Sequence, residues 1–218
     1  MLDTLIQIDT SLLLAVNGAR SPFLDHFMYL FSDKLIWVPM YLSILYVLWK
    51  NYEPKQFLCC IVAVALVILF ADQVTHELRG VFCRLRPSNL ENPVSEFVQI
   101  VNGKRGGRYS FPSCHAANTW ALAFYIFLLL RRRWLSLTLV LWALITCYSR
   151  AYLGVHYPGD LLVGSLVGIA GASIIFSLQR LICKLRRRDL KHPYAPILLF
   201  LLTVVAMAAW STFKAFAA

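Results

Sequence analysis

A histidine and an aspartate stand four residues apart in the segment SRAYLGVHYPGD, residues 149–160. Pro158 suits the first turn of a helix, so a helix is predicted to begin there, with His156 just before it and Asp160 in its first turn. The carboxylate can then accept a hydrogen bond from one ring nitrogen of His156 and leave the other as a nucleophile. The alternative interpretation is that Asp160 only complements the helix dipole and His156 is a polar interface residue.

A second segment, Pro-Ser-Cys-His at residues 112–115, combines a helix cap with another histidine. Ser113 is a natural N-cap, and the amides that follow it lie at the positive end of a helix, where anions bind. His115, in the first turn, has the chemistry of a general acid at physiological pH. For this segment taken alone, a purely structural role is the simpler interpretation.

Three arginines accompany these histidines: Arg79 and Arg86 in RGVFCRLRP, and Arg150 in the first segment. Guanidinium groups bind phosphate oxygens with paired donors and stay charged, so their convergence indicates a phosphoryl group. Snorkelling at a membrane surface explains any one of them. It does not explain two histidines at the same face.

The elements that must position these residues are membrane helices. Of the 218 residues, 59% are hydrophobic and 15% are charged, and the mean hydropathy is +0.64, whereas soluble chains carry about 25% charged residues. We expect one all-α integral membrane domain over residues 1–218. Six spans of close to the required length of about 20 residues are predicted: 28–49, 56–77, 116–130, 134–150, 158–179 and 194–214.

The N-terminal segment, residues 1–20, lacks the basic start and small-residue cleavage site of a signal peptide, so we expect it to be retained. Its mixed polarity favours an amphipathic helix lying on the membrane surface.

Basic residues predict the orientation. More than half of the 21 Lys and Arg residues lie in three short loops on one side of the membrane, which the positive-inside rule makes cytoplasmic. They are Lys50, Lys55, Arg131, Arg132, Arg133, Arg180, Lys184, Arg186, Arg187, Arg188 and Lys191. With this orientation the three chemistry-bearing segments all face outward, because they lie at helix ends of the same parity. Both termini face outward as well.

The net charge of +10 and the run KRGGR at residues 104–108 superficially suggest RNA binding. Anionic lipid, or phosphate on a lipid, explains the charge better in a membrane protein, and no nucleic-acid partner is expected. The six cysteines show no C-x-x-C spacing, so neither a zinc site nor a disulfide scaffold is indicated. A disulfide between Cys83 and Cys114 is possible, because both cysteines fall on the same predicted face, but no further feature of the sequence supports it.

Taken together, the three segments resemble the type 2 phosphatidic acid phosphatase (PAP2) superfamily. Its pattern is a lysine, six residues and Arg-Pro, then Pro-Ser-Gly-His, then Ser-Arg, five residues, His, three residues and Asp. The resemblance covers residues 79–160 directly and most of the chain by architecture. The matching positions are Arg86, Pro87, Pro112, Ser113, His115, Ser149, Arg150, His156 and Asp160.

Two positions depart from that pattern. Arg79 stands where the family has lysine, which keeps the charge but changes the donor geometry. Cys114 replaces the glycine between the serine and the histidine, which adds a side chain where backbone amides should approach the phosphate. If the side chain of Cys114 points away from the pocket, the amide contact survives.

The resemblance implies a membrane-bound lipid phosphatase, without metal or other cofactor, that works through a phosphohistidine. His156 would be the nucleophile, Asp160 its orienting partner and His115 the acid and base. The phosphate would be bound by Arg79, Arg86, Ser113, Cys114 and Arg150. The candidate substrates are undecaprenyl diphosphate, the phosphates of lipid A, and phosphatidylglycerol phosphate or phosphatidic acid.

The expected location is a bacterial inner membrane, with the site facing the periplasm or exterior. The protein is expected to be a monomer or a weak homo-oligomer. Two other functions stay open from the sequence: a phosphotransferase that uses the same intermediate, and a noncatalytic lipid-binding or transport protein.

Some residues outside the motifs allow two interpretations. One such set contacts the lipid headgroup or belongs to a solvated basic loop, and the solvated loop is the slightly favoured interpretation. The set consists of Lys104, Arg105, Arg108 and Tyr109. Asp72 either braces Arg79 or packs within the bundle. A small-residue face formed by Gly164, Gly168 and Gly171 suits close packing within the bundle better than dimerisation.

Overall fold

A computed structural model describes residues 2–183 and 190–217. The described chain is a helical bundle that carries a single isolated β-bridge, between Leu85 and Tyr109, and it confirms the all-α fold class. A short 3-10 helix, Pro93–Glu96, lies in the long connection. The α-helices are α1 Leu2–Gly18, α2 Pro22–Phe31, α3 Val38–Asn51, α4 Pro54–Phe82, α5 Cys114–Leu130, α6 Arg133–Tyr152, α7 Pro158–Ile182 and α8 Ala195–Ala217.

Four of these helices, α4, α6, α7 and α8, are long and apolar enough to cross a membrane, and α5 is a shorter apolar helix. Their outer faces leave large aliphatic side chains exposed, among them Leu66 on α4, Leu162 on α7 and Leu202 on α8. In water such surfaces would be unfavourable, whereas lipid tails accept them. The protein is therefore an integral membrane protein, although a total of six spans remains a prediction.

The first predicted span, 28–49, is wrong as a single helix, because the chain breaks between α2 and α3. Ser32 caps the end of α2 with its backbone amide, and the Asp33 carboxylate accepts a hydrogen bond from the Leu35 amide in the intervening turn. Trp37 closes the break by donating its ring N–H to the carbonyl of Phe31, 3.0 Å away. The apolar residues on both sides of the polar triplet Ser32, Asp33 and Lys34 suggested one span, and the capping contacts show that the triplet ends the first helix.

The centre of the bundle is the close pair α5 and α7. A Cβ atom at Gly164 would lie 2.4 Å from the carbonyl oxygen of Ser113, and one at Gly168 would lie 2.2 Å from that of Ala117. Gly171 packs just as closely against the ring of Phe70 on α4. The small-residue face is therefore used inside the bundle, as the favoured interpretation predicted, and it draws the start of α5 against α7.

The amphipathic segment at the N-terminus forms α1, as predicted. Leu13 is fully buried, whereas Leu5, Ile8 and Leu12 are exposed. At the end of the helix, Asn17 donates to the carbonyl of Tyr152 at 2.7 Å, which fixes α1 against the end of α6.

The loops that were predicted to share one side do lie together. Asn51, at the end of α3, accepts a hydrogen bond from the amide of Lys191 at 2.6 Å and donates to its carbonyl at 2.9 Å. Arg132 and Arg133 line a small cleft with Tyr194. Of the basic residues used for the orientation, Lys184, Arg186, Arg187 and Arg188 lie outside the described residues.

The cysteine chemistry differs from the prediction. Cys83 and Cys114 are free thiols: Cys83 ends α4 with an exposed side chain, and the thiol of Cys114 is engaged elsewhere. A disulfide instead joins Cys59 on α4 to Cys183 just after α7. No local pattern indicates this pair, because the two cysteines are 124 positions apart in the sequence.

Candidate active site

His156 lies in the turn between α6 and α7 and is fully buried. Its Nε2 atom is 2.9 Å from Nη1 of Arg86. Because a guanidinium group can only donate, Nε2 must be the acceptor, and a neutral ring carries its proton on Nδ1. Burial first, and then the charges of Arg86, Arg150 and Arg79, hold the pKa of His156 well below 6.5. The ring therefore presents an unprotonated Nε2 at neutral pH.

Asp160 lies in the first turn of α7, which begins at Pro158 as predicted. Its Oδ2 atom accepts a hydrogen bond from the Tyr157 amide at 2.9 Å and lies 3.5 Å from Nδ1 of His156. The expected hydrogen bond between the two side chains is not formed, and Nδ1 is without a partner among the described atoms. The carboxylate nevertheless faces the protonated nitrogen, and such contacts often tighten only when substrate binds.

Two buried arginines stand beside His156. Arg86 donates to the carbonyl of Val155 at 3.0 Å, and Arg150 donates to the hydroxyl of Ser32 in the break between α2 and α3. Burial, with the charge of Arg79, lowers the pKa of Arg86 to about 10, so it remains a cation.

Neither of these buried arginines forms an ion pair with a carboxylate in the described part of the chain. The Nε atoms of Arg86 and Arg150 also have no hydrogen-bond partner there. Buried cations without a carboxylate to balance their charge are unfavourable, so the arrangement is that of a site built for an anion.

Arg79 extends from the last turns of α4 toward the start of α5. Its Nε and Nη2 atoms both donate to the carbonyl oxygen of Pro112, at 3.1 and 3.0 Å. The charge thus reaches the segment that precedes Ser113. The proposed brace by Asp72 is wrong, because the Asp72 carboxylate bonds to α5 instead.

Ser113 is the N-cap of α5, as predicted, and its hydroxyl accepts from the amide of Ala116. Its own amide donates to the carbonyl of Asp160 at 3.0 Å, which ties the starts of α5 and α7 together. His115 follows in the first turn, within electrostatic range of His156 and Arg150. The Ala116 amide is used by this cap, whereas the amides of Cys114 and His115, at the first two positions of α5, have no partners within the helix and can donate to an anion.

Cys114 directs its thiol toward Asp72 on α4 and stays within electrostatic range of Arg79, Arg86 and Arg150. Its Sγ atom lies 2.8 Å from Oδ1 of Asp72, and the same oxygen accepts a hydrogen bond from Asn118 at 2.8 Å. The side chain that replaces the family's glycine is therefore occupied by a contact between helices, while its backbone amide stays in the first turn of α5.

The four residues proposed for the headgroup fall into two groups. Arg105 donates to the carbonyl of Ser88 at 2.8 Å, so it stabilises the loop. Arg108 pairs with Glu91 and is 59% exposed, as a solvated loop residue would be. Tyr109 forms the backbone bridge to Leu85.

Lys104, the remaining residue of the four, lies within electrostatic range of Arg150 and His115. Its ammonium lies 4.6 Å from the centre of the Tyr29 ring. Burial first, then the nearby charge of Arg150, lowers its pKa.

Three residues that contribute to the site were not identified from the sequence. Ser32 holds Arg150, Arg84 binds Asp160 with its Nη1 atom at 3.0 Å, and Asp9 binds Arg84 with its Oδ2 atom at 2.8 Å. Arg84 is visible within RGVFCRLRP as a third arginine. Nothing local in the sequence indicates the roles of Asp9 and Ser32.

A cavity of about 440 Å³ leads from this site between α3, α4, α5 and α6. His115, Asp72 and Asn118 line its polar end, together with Cys114, Thr119 and Lys34. The remainder of its wall is apolar and is formed by Tyr41, Ile44, Leu45, Leu48, Val64, Ile68, Leu122 and Trp142.

Comparison with known proteins agrees with this geometry. A family model described as "PAP2 superfamily" matches residues 56–184. The chain is 54% identical over 177 residues to a lipid A 4'-phosphatase of Bacteroides thetaiotaomicron, covering 81% of this chain and 79% of the relative. A lipid A 4'-phosphatase of Porphyromonas gingivalis is 32% identical over 178 residues, covering 81% and 75%.

A solved structure, that of Aquifex aeolicus LpxE, matches with a TM-score of 0.59 at 27% identity and covers 77% of this chain and 93% of that one. A PAP2 type phosphatidylglycerolphosphate phosphatase from Bacillus subtilis matches with a TM-score of 0.64 at 19% identity, covering 84% and 90%, and shares the fold. The chain belongs to the PAP2 superfamily and is a membrane lipid phosphatase.

Proposed function

We propose that this enzyme removes a phosphate from lipid A, at the 4' position, through a phosphohistidine formed on His156. The observation that carries the proposal is the pair of buried guanidinium groups, Arg86 and Arg150, that lack carboxylate partners in the described chain. Arg86 contacts the unprotonated Nε2 of His156, and the charge of Arg150 acts on the same ring. A phosphoryl group supplies the missing negative charge and places its phosphorus beside the nucleophile.

In the first step, Nε2 of His156 attacks phosphorus and the bond from phosphorus to the lipid oxygen breaks. His115 donates a proton to the departing oxygen. The charge that develops on the phosphoryl oxygens is stabilised by Arg86, Arg150 and the amides at the start of α5, the electrostatic contribution that usually dominates this chemistry.

In the second step, His115 takes a proton from water, which attacks the phosphohistidine and breaks the bond between nitrogen and phosphorus. Inorganic phosphate leaves and Nε2 is again unprotonated. Asp160 keeps the proton of His156 on Nδ1 through the cycle, and Arg79 and Ser113 hold the segment that faces the phosphate.

The lipid substrate is supported by the cavity that runs from His115 between α3 and α4. An apolar passage that ends in charged groups suits a molecule with acyl chains and an anionic headgroup. The choice of lipid A among the candidate lipids rests on the two relatives that are lipid A 4'-phosphatases.

We place the enzyme in a bacterial inner membrane with this site facing the periplasm. Support comes from the basic loops, which lie at the end opposite to the histidines: Lys191 is joined to Asn51, and Arg133 lies beside Tyr194. By the positive-inside rule that end is cytoplasmic.

The test uses purified enzyme in detergent with a chelator present. Lipid A that carries both the 1- and the 4'-phosphate is compared with undecaprenyl diphosphate and phosphatidylglycerol phosphate. We expect phosphate release to be fastest from lipid A, with a product that mass spectrometry shows to retain the 1-phosphate. Preferred turnover of another lipid would contradict the proposed substrate, and transfer of labelled phosphate to a second lipid would contradict hydrolysis.

The intermediate is tested separately with lipid A labelled at the 4'-phosphate. Rapid quenching at alkaline pH should trap labelled wild-type enzyme. His156→Ala should give neither labelled protein nor phosphate, and His115→Ala should lose turnover while eluting as a folded protein. Undiminished turnover in His156→Ala would contradict the proposed mechanism.

A further inference from the structure

Asp160 is a fully buried carboxylate whose charge is balanced by a residue outside the family pattern. Its Oδ1 atom accepts a hydrogen bond from Nη1 of Arg84 at 3.0 Å, and the side chain of Arg84 is 27% exposed. A buried carboxylate that lost this partner would tend to take up a proton or move. Arg84 therefore holds Asp160 through Oδ1 and stabilises its charge, while the Tyr157 amide holds Oδ2, the oxygen that faces His156.

Arg84 is itself held in place from two directions. Nη2 lies 2.8 Å from Oδ2 of Asp9 on α1, and the guanidinium carbon lies 3.8 Å from the centre of the Tyr157 ring. These contacts restrain a flexible side chain in the plane that suits the carboxylate of Asp160.

Asp9 also reaches the first turn of α7. Its Oδ1 atom accepts a hydrogen bond from the amide of Gly159 at 2.7 Å, one of the amides that a helix cannot satisfy itself. A Cβ atom at Gly159 would lie 2.9 Å from Oδ2 of Asp9. The absence of a side chain at Gly159 therefore permits the approach of Asp9.

We propose that Arg84 and Asp9 are positioning residues for the phosphoryl transfer. Asp9 holds Arg84, Arg84 neutralises and orients Asp160, and Asp160 orients the ring of His156. Asp9 has a second effect, because a free Arg84 would be drawn to the phosphate of the substrate. The inference rests on the proposed roles of His156 and Asp160, and it couples α1 to the chemistry.

The experiment measures kcat and KM for Arg84→Gln, Asp9→Asn and the double variant, using the full chain in detergent micelles with lipid A. We expect each single variant to lower kcat on the order of tenfold, because the residues act as one coupled unit. KM should stay close to the wild-type value. The double variant should be no slower than Arg84→Gln alone, and Arg84→Lys, which retains the charge, should recover part of kcat.

Arg20→Gln is the matched control. This substitution breaks the ion pair between Arg20 and Asp25, which lies just beyond the other end of α1 and whose Nη2 and Oδ2 atoms are 2.5 Å apart. We expect it to leave kcat unchanged. An equal loss in this variant would mean that any disturbance of α1 slows the enzyme, which overturns the specific role of Asp9.

Two other results would overturn the inference. Independent effects of Arg84→Gln and Asp9→Asn that multiply in the double variant would show no coupling. A rise in KM at unchanged kcat in Arg84→Gln would make Arg84 a substrate contact. If Arg84→Gln does not fold, the comparison of Asp9→Asn with Arg84→Lys still decides, because wild-type kcat in Asp9→Asn contradicts the inference.

The two proposals fail in different ways. Turnover retained by His156→Ala removes the proposed mechanism altogether. Loss of turnover in His156→Ala combined with wild-type kcat in Asp9→Asn removes only the positioning role.

Discussion

Nη1 of Arg86 lies 2.9 Å from Nε2 of His156, so the proposed nucleophilic nitrogen is in contact with a cation that can only donate. This contact keeps Nε2 free of a proton and occupies the direction from which it would attack. A bound phosphoryl group would accept the same donor on one of its oxygens, so Arg86 would pass from the nitrogen to the substrate. In the proposed mechanism one residue thereby sets the protonation of the nucleophile and binds the phosphoryl group that it attacks.

The first prediction concerns pH. Burial and the charges of Arg86, Arg150 and Arg79 lower the pKa of His156, so the wild-type acid limb of kcat/KM that reports this histidine lies below pH 6.5. In Arg86→Gln one cation is lost, the pKa rises, and the limb should move to higher pH by about 1. The measurement is the pH profile of both enzymes with the same lipid, which makes ionisation of the substrate common to the two. If the acid limb of the profile does not move in Arg86→Gln, Arg86 does not control the pKa of His156.

The second prediction separates the charge of Arg79 from its fork-shaped geometry. Arg79→Ala removes two hydrogen bonds to the carbonyl of Pro112, and because hydrogen bonds from charged groups contribute about 1.5–3 kcal/mol, kcat/KM should fall about a hundredfold. Arg79→Lys restores the family residue and its charge, and should stay within about tenfold of the wild type. Equal losses in the two variants would mean that the fork, not the charge, is required.

The third prediction tests the unusual cysteine. Cys114→Gly restores the family pattern and removes the contact with Asp72, but it leaves the backbone amide in place. We expect kcat/KM within about threefold of wild type and a loss of stability of about 1 kcal/mol, since glycine weakens a helix. Cys83→Ser, at an exposed thiol, is the matched control. A collapse of activity in Cys114→Gly alone would place the thiol in the phosphate pocket.

The fourth prediction concerns the packing of α5 against α7. Gly168→Ala would bring a Cβ atom to 2.2 Å from the carbonyl oxygen of Ala117, which forces the helices apart and should cost about 1–3 kcal/mol. Gly80→Ala, also in a helix but with nothing within 4 Å, should stabilise the protein by about 0.5–1 kcal/mol. Thermal unfolding in detergent measures both. A Gly168→Ala protein as stable as Gly80→Ala would refute the close packing.

Much of the site could be predicted because its parts are local. Ser113 caps α5 and Pro158 opens α7 through contacts within a few residues, and Asp160 follows His156 by about one helical turn. Alternation of membrane spans then brings these helix ends to one face, whatever the details of packing. The break after Phe31 was missed because hydropathy alone does not register the capping contacts of Ser32 and Asp33.

The sequence by itself determined the membrane character, the family and the face on which the two histidines meet, because these follow from hydropathy, parity and short-range spacing. Only the tertiary structure decided that Nε2 of His156 faces Arg86, that Arg150 rests on Ser32, and that Asp9 reaches Arg84. It also decided that Cys114 turns toward Asp72 and that Cys59 pairs with Cys183. Such contacts join residues as far apart as 124 positions and depend on how each helix is rotated and tilted, which no local pattern encodes.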